Sequence, residues 1–285
     1  MTTASEPRYA WLRLGIALLL STLGGISLWS VVVVLPAVQA EFAVDRAAAS
    51  LPYTATMIGF AVGGVLMGRM ADRFGIMPPA LIGAVALSVG YVAAGYAASL
   101  WQFALVHGVL IALFGGAATF GPIVADTSHW FTRRRGIAVA IAASGNYLAG
   151  TVWPPIAQHF VQTIGWRQTH IGIGVLCGVT MIPLALALRR RPQAYRPGVA
   201  APSATRTLPT LALSPTALQV LLSIAGFACC VAMSMPQVHI VAYCSDLGYG
   251  VTRGAEMLSL MLGLGIVSRV GSGFVADRVG GLPTF

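Results

Sequence analysis

Long hydrophobic stretches separated by short polar breaks run through the whole chain. Charged residues, Pro and Gly turns and aromatic residues suited to a membrane interface mark the breaks. They divide the chain into predicted helices at residues 14–37, 49–68, 78–97, 101–124, 136–158, 168–188, 215–243 and 254–275. Most of these reach the roughly 18 apolar residues that are typical of a membrane span. The pattern therefore predicts an all-α polytopic membrane protein.

The third and fourth spans share one uncharged stretch. No charged residue stands between Arg73 and Asp126, and this interval is far too long for a single membrane-spanning helix. The segment "AASLWQ" at 97–102 is the best candidate for a tight turn inside it. We therefore predict two spans, joined by this turn on the external side.

The longest polar interruption is "RRRPQAYRPGVAAPSATRTLPT" at 189–210, which is rich in Arg, Pro, Ala and Thr and has no hydrophobic periodicity. Such a composition is typical of a linker. We predict three parts: an N-terminal six-helix bundle at 1–188, a cytoplasmic linker at 189–213, and an incomplete C-terminal bundle of two spans at 214–285.

One octapeptide occurs twice and supports this organisation. "GRMADRFG" at 68–75 recurs as "GFVADRVG" at 273–280, so that Asp72 matches Asp277. The first copy joins spans two and three, and the second follows span eight, which is the second helix of the second unit. The repeat indicates a duplicated six-helix unit with equivalent turns. The Asp is suited to the N-terminal end of the next helix, where the helix dipole favours a negative charge.

Composition and charge agree with a membrane protein. The chain is 57% hydrophobic and 9% charged, with a net charge of +9 carried by Arg because the sequence contains no Lys. Most arginines fall at alternate breaks, and only Arg46, Arg167 and Arg253 fall at the others. By the positive-inside rule we predict a multi-pass protein of the cytoplasmic (inner) membrane with a cytoplasmic N-terminus. Membrane lipid, rather than nucleic acid, is then the partner of the basic residues.

The repeated turn and the span count resemble the major facilitator superfamily of secondary transporters. In that family a G-x-x-x-D-R-x-G-type loop follows the second span, and a weaker copy follows the eighth. The resemblance implies that the motif helps to hold the cytoplasmic side shut. The residues that carry this gate role here are Gly68, Asp72, Arg73, Gly75, Gly273, Asp277 and Arg278.

Two further stretches narrow the resemblance. "HWFTRRRGIAVAIAASGNYLAG" at 129–150, and "PQVHIVAYCSDLGYG" at 236–250 continuing to "GLGIVSRVGSGFVADRVG" at 263–280, are similar to the branch that contains the monocarboxylate transporters and the oxalate:formate antiporter. In that branch an arginine of span eight contacts the substrate carboxylate, and the matching residue is Arg269. The branch also places an Asp one turn before this arginine, where the present chain has Gly265.

The candidate substrate-binding residues are Arg269, Asn146, Tyr147 and His239. An intramembrane charge is a functional candidate by default, although Arg269 could also serve an interfacial or gate-pairing role. Asn146 and Tyr147 fit a substrate contact or a helix-to-helix hydrogen bond equally well. The candidates for coupling to a co-transported proton are His107 and Asp126. The alternatives are a structural histidine and an aspartate that pairs with a loop arginine.

We therefore interpret the chain as a secondary active transporter of a small solute, with a small organic anion such as a monocarboxylate favoured by the resemblance. No metal-ligand spacing, cofactor motif or catalytic motif is present, so an enzyme is not indicated. Multidrug efflux is the second hypothesis. A non-transporting membrane protein is the third, because the chain stops soon after the second octapeptide and the span count predicts a C-terminal truncation.

Overall fold

The computed structural model describes residues 8–131, 134–189 and 214–279, and the described residues are almost all helical. The predicted linker, from residue 190 to 213, lies outside the described residues, as does Gly280 of the second octapeptide. The α-helices are α1 Arg8–Gly24, α2 Ile26–Phe42, α3 Arg46–Ala49, α4 Leu51–Phe74, α5 Met77–Gly95, α6 Leu100–Leu105, α7 Gly121–Trp130, α8 Arg135–Ile164, α9 Trp166–Ala187, α10 Pro215–Asp246 and α11 Gly250–Val279.

The described residues contain 8 helical segments that are long and apolar enough to cross a membrane. They coincide with the predicted spans, and the all-α polytopic fold class is confirmed. Several segments are longer than predicted: the first runs from Tyr9 to Phe42 and the fifth from Arg135 to Ile164. Such lengths exceed the roughly 20 residues needed to cross the hydrocarbon core, so the ends of these helices reach beyond it.

The turn between spans three and four is confirmed and has an identifiable cap. α5 ends at Gly95 and α6 begins at Leu100. The Ser99 hydroxyl accepts a hydrogen bond from the Gln102 amide at 3.3 Å, and the Gln102 side chain in turn accepts one from the Ala98 amide at 2.9 Å. Reciprocal bonds of this kind satisfy amide groups that a helix leaves without partners at its N-terminus.

The fourth span is not one regular helix. A π-helical segment, Val106–Gly115, follows α6, and a 3₁₀ turn, Gly116–Thr119, leads into α7. Pro122 lies in the first turn of α7, where its missing amide hydrogen costs nothing. The hydrophobic pattern predicted a single helix at 101–124. It could not reveal the π-helical and 3₁₀ segments, because this stretch is apolar throughout and would look the same with any helical hydrogen-bonding pattern.

Small residues set the distances between neighbouring helices. A Cβ atom at Gly59 would lie 2.0 Å from the Gly108 carbonyl oxygen, and one at Gly63 would lie 2.2 Å from that of Leu113, so α4 touches the π-helical segment backbone to backbone. α5 and α9 meet in the same way, since a Cβ atom at Gly174 would lie 2.7 Å from the Ser88 carbonyl oxygen. Close approach through small residues is the usual packing of helices in membranes.

The chain forms two compact units. The first comprises the residues up to Gly198 together with Leu262–Phe285, and its apolar core includes Leu20, Ile26, Leu87, Tyr91 and Phe103. The second comprises Val199–Met261, with α10 and the first turns of α11. Large apolar side chains along the first half of α10 are exposed, as expected for a helix that faces lipid. The division at residues 188 and 214 stays a prediction.

Candidate functional site

The two ends of the first unit carry different polar contacts. At one end α1 and α8 begin and α11 ends, and we call it the basic end after its arginines, such as Arg13 and Arg135. At the opposite end, Glu41 of α2 accepts hydrogen bonds from Trp166 and Arg167 of α9. Arg167 also donates to the Gly95 carbonyl oxygen at 3.0 Å. These bonds join the ends of α2, α5 and α9.

Arg269 lies inside a membrane-spanning segment, Glu256–Arg278, and contacts α8. Its Nη1 donates to the Ala143 carbonyl oxygen at 3.3 Å and its Nη2 to the Tyr147 hydroxyl at 3.4 Å. The guanidinium carbon lies 4.5 Å from the centre of the Tyr147 ring. None of the ion pairs among the described residues includes Arg269. The half-buried Arg269 guanidinium is thus held by a carbonyl oxygen, a hydroxyl group and an aromatic ring. Its positive charge is not neutralised by a carboxylate of the described residues.

Tyr147 also explains the glycine at position 265. A Cβ atom there would lie 2.7 Å from Cε1 of the Tyr147 ring, so the ring fills the space beside Gly265. In the branch that the sequence resembles, an acidic residue takes this position. Here the phenol and its ring face Arg269 instead.

On the hypothesis of carboxylate transport from the sequence analysis, we expect Gly265→Asp to reduce substrate affinity rather than to introduce proton coupling. The new Cβ atom would overlap the Tyr147 ring, and the ring would have to leave Arg269. The new carboxylate would also compete with an anionic substrate for the guanidinium. The measurement is the apparent KM for carboxylate uptake, for which we expect a rise of about tenfold or more, equivalent to roughly 1.4 kcal/mol. Gly263→Ala is the matched control, because a Cβ atom at Gly263 meets nothing within 4 Å. An unchanged KM in Gly265→Asp would contradict the expectation.

The other candidate binding residues lie in different surroundings. Asn146 faces the break between α1 and α2, since its Oδ1 would lie 3.3 Å from a Cβ atom at Gly25. His239 belongs to α10, but its side chain lies outside the described residues. The structure therefore brings together Arg269 and Tyr147, and it directs the Asn146 oxygen towards a helix crossing.

His107 is fully buried and paired with a second histidine. Its Nε2 lies 3.4 Å from Nε2 of His170, and Nδ1 of His170 lies 2.9 Å from the Trp166 carbonyl oxygen. A carbonyl oxygen can only accept, so Nδ1 of His170 is the donor and its Nε2 is left to accept from His107. The rings of Tyr91, Phe103 and Trp166 surround the pair. This environment suits a structural pair of neutral imidazoles, and no pattern in the sequence pointed to His170.

Asp126 forms a buried ion pair with Arg13 at the basic end. Its Oδ2 accepts from Nε of Arg13 at 3.0 Å and from Nη2 at 2.8 Å, and Nη1 donates to the Leu188 carbonyl oxygen at 3.2 Å. The Trp130 ring lies 4.6 Å from the Arg13 guanidinium carbon. The pair joins α1, α7 and the end of α9, and the arginine comes from the first helix rather than from a loop.

The second octapeptide contacts the N-terminus of α8 at the basic end. The Asp277 carboxylate accepts hydrogen bonds from the Gly136 amide at 2.6 Å and the Ile137 amide at 3.0 Å, so it caps the N-terminus of α8. A Cβ atom at Gly273 would lie 2.8 Å from the Gly136 carbonyl oxygen, and the two backbones are therefore in contact. The sequence predicted that the Asp of this motif lies at the N-terminal end of the next helix, but Asp277 caps α8, which is remote in sequence and precedes it.

The first octapeptide has different surroundings. Gly75 ends α4 with φ 84° and ψ 176°, a conformation that is essentially limited to glycine. A Cβ atom at Gly68 would meet nothing within 4 Å, whereas the matching Gly273 touches α8. Arg73 is exposed beside the Phe74 ring, at 5.3 Å from its centre, as Arg278 is beside Phe274 at 4.1 Å. Asp72 is exposed at the same end of the unit.

The described residues form membrane-spanning helices, and one octapeptide recurs at the ends of the second and the eighth span, an organisation that is typical of transporters built from repeated units. The sequence profile of the Major Facilitator Superfamily matches residues 17–285. The chain therefore belongs to this superfamily, whose members bind small-molecule substrates.

Curated relatives confirm the resemblance to the monocarboxylate-transporter branch. Monocarboxylate transporter 13 of Bos taurus is 31% identical over 248 residues, which cover 84% of this chain and 55% of the relative. Monocarboxylate transporter 11 of Homo sapiens is 29% identical over 216 residues, which cover 73% of this chain and 44% of the relative. The chain thus spans about half the length of the curated relatives it matches. These relatives are transporters rather than enzymes.

A solved structure shows the same fold. The proton:xylose symporter XylE, bound to 6-bromo-6-deoxy-D-glucose, superimposes with a TM-score of 0.52 at 14% sequence identity. The superposition covers 97% of this chain and 56% of the symporter chain. At this identity the similarity concerns the arrangement of the helices and not the substrate.

Proposed function

We propose that the full-length protein is a secondary active transporter of a small organic anion, in the first place a monocarboxylate, and that it works by alternating access. The observation that carries the proposal is the uncompensated charge of Arg269 within a membrane-spanning segment. Such a charge costs at least about 2.5–3.5 kcal/mol on insertion scales. A bound carboxylate would offset this cost, because guanidinium and carboxylate form two parallel charge-assisted hydrogen bonds.

Tyr147 and Asn146 complete the proposed site from α8. The Tyr147 hydroxyl, which already accepts from Arg269, fixes the guanidinium against the ring and supports a carboxylate from one side. Asn146 lies one residue away at the crossing with α1 and α2, and it takes part when that crossing opens. His239 of α10 stays a candidate for the same role, and His107 and Asp126 stay candidates for coupling to a proton.

In the proposed mechanism the two octapeptides act as gates at the basic end. Asp277 on the N-terminus of α8, with Gly273 against Gly136, holds one half of that end shut. Gly68, Asp72, Arg73 and Gly75 form the equivalent element after span two, and Arg278 extends the second one. The excess of arginine at this end supports its assignment to the cytoplasmic side of the inner membrane.

Uptake by reconstituted vesicles tests the proposed function. Vesicles that contain the full-length protein should accumulate radiolabelled monocarboxylates faster than protein-free vesicles, and unlabelled carboxylates should compete. Xylose and a cationic dye are the comparison solutes. Export of the dye without any carboxylate uptake would overturn the proposal in favour of multidrug efflux. Absence of all transport would favour a non-transporting membrane protein.

Asp277→Ala should weaken closure of the basic end. The substitution removes both hydrogen bonds to the N-terminus of α8, and loss of a helix cap costs about 0.5–2 kcal/mol. We expect a cysteine placed at Ala140, beside Gly273, to react about tenfold faster with a water-soluble thiol reagent in this variant, and the uptake rate to fall. The matched control is Asp45→Ala, which removes the cap of α3, where Oδ1 accepts from the Ala48 amide at 2.7 Å. Equal labelling rates in both variants would argue against a gate at Asp277.

A further inference from the structure

Trp29 of α2 places an unused hydrogen-bond donor where three helices meet. A Cβ atom at Gly150 of α8 would lie 2.6 Å from Cε2 and 2.7 Å from Cζ2 of the indole ring, and 2.7 Å from Cδ1 of Leu262 of α11. Cε2 is the ring carbon bonded to Nε1, so the indole N–H group lies close to this junction. Among the described residues no acceptor lies within hydrogen-bond distance of this buried nitrogen.

Two other tryptophans of the first unit, Trp153 and Trp166, use their indole N–H groups in hydrogen bonds. Nε1 of Trp153 donates to the Thr22 carbonyl oxygen at 2.8 Å, and Nε1 of Trp166 donates to the Glu41 carboxylate. Trp130 lies at the basic end, where its side chain interacts with the Asp126 carboxylate and its ring packs under the Arg13 guanidinium. A buried donor without an acceptor is costly, and in membrane proteins buried polar groups generally find partners. The donor of Trp29 is therefore a candidate for a ligand contact.

The position of Trp29 relates it to Arg269. Gly150 follows Tyr147 by three residues, which places the two on the same face of α8 about 4.5 Å apart along the axis. Leu262 precedes Arg269 by seven residues on α11, about 10 Å along the axis. Arg269 and the Trp29 indole thus both contact the face of α8 that packs against α11, about one helical turn apart along its axis.

Resting on the proposed carboxylate transport, we propose that Trp29 is a specificity-determining residue of the substrate site. Its N–H group donates to a second oxygen acceptor of the substrate, such as a keto or hydroxyl oxygen several bonds away from the carboxylate that Arg269 binds. The favoured substrates are then oxygenated monocarboxylates rather than unsubstituted alkanoates. A site built to hydrogen-bond an oxygen rejects the analogue that lacks it, because the donor would stay buried and unpaired.

Two acids of equal chain length, 4-oxopentanoate and pentanoate, test the proposal in vesicles with the full-length protein. The wild-type protein should show the lower apparent KM for 4-oxopentanoate. Trp29→Phe keeps an aromatic ring and removes the N–H group. It should raise the KM for 4-oxopentanoate about tenfold and leave that for pentanoate within about twofold. Trp153→Phe is the matched control, because it removes a donor that already has an acceptor, and the ratio of the two KM values should not change.

The outcomes separate this inference from the proposed function. If wild-type vesicles take up neither acid, the proposed function fails and the inference fails with it. If both acids are taken up and Trp29→Phe changes both KM values equally or neither, only the role of Trp29 is overturned. Gly150→Ala provides a second variant in case Trp29→Phe does not fold. Its Cβ atom would displace the indole ring without removing it, and it should also reduce the preference for the oxo acid.

Discussion

Arg269→Ala should abolish carboxylate uptake while the protein still inserts into the membrane. The guanidinium is the group that we assign to the substrate carboxylate, and hydrogen bonds to charged groups contribute about 1.5–3 kcal/mol each. Loss of a bidentate pair therefore predicts a decrease in kcat/KM of about 100-fold or more. The measurement is the initial uptake rate at several substrate concentrations.

Two further arginine substitutions test whether the loss of uptake is specific to the guanidinium of Arg269. Arg269→Lys keeps the charge but loses the planar fork, so we expect partial activity with a raised KM. Arg253 on the same helix is exposed and pairs with Glu256 at 2.8 Å, and exposed pairs contribute little. Arg253→Ala should therefore stay within about twofold of the wild-type protein. Unchanged uptake in Arg269→Ala, with normal amounts of protein in the membrane, would remove Arg269 from the substrate site.

Asp126→Ala should cause a large loss of stability. The Arg13 side chain is 4% exposed, and the substitution would leave its guanidinium buried without its carboxylate partner. Removal of one member of a buried ion pair typically costs about 3–5 kcal/mol. We expect a marked decrease in the midpoint of thermal unfolding in detergent.

The double variant Arg13→Met with Asp126→Leu should recover most of this loss, because replacing both members by apolar residues avoids the unpaired charge. Glu41→Gln, which removes the charge but keeps an acceptor for Trp166, is the comparison at the opposite end. Its pair with Arg167 is 34–40% exposed, for which about 0–1 kcal/mol is expected. If Asp126→Ala were as stable as Glu41→Gln, the Arg13 pair would not be the structural contact that its burial indicates.

The sequence predicted most of the fold because membrane spans depend on local composition. A run of apolar residues is visible without knowledge of its neighbours, and the turn at Ser99 carries its own capping residues. The repeated octapeptide likewise identified Asp277 as a residue of interest. Its contact with Gly136 could not be predicted from the sequence, because nothing near either residue specifies the other.

The surroundings of the candidate site were predictable only in part. Arg269 stands out as a charge in an apolar helix, and this signal does not depend on the tertiary structure. Trp29 carries no such signal, since an isolated tryptophan in a span is typical of ordinary apolar or interfacial positions. Its significance depends on the absence of an acceptor around Nε1 among the described residues, which only the packing of α8 and α11 against α2 reveals.

The π-helical segment Val106–Gly115 also affects how this chain should be aligned with its relatives. Each i→i+5 bond accommodates one more residue per hydrogen-bonded turn than an α-helix does. A relative whose fourth span is α-helical throughout would present a different set of side chains to α4 and α5 beyond this segment. A gap-free alignment would then pair residues from different faces, and a gap within this segment would restore the equivalence of the buried positions.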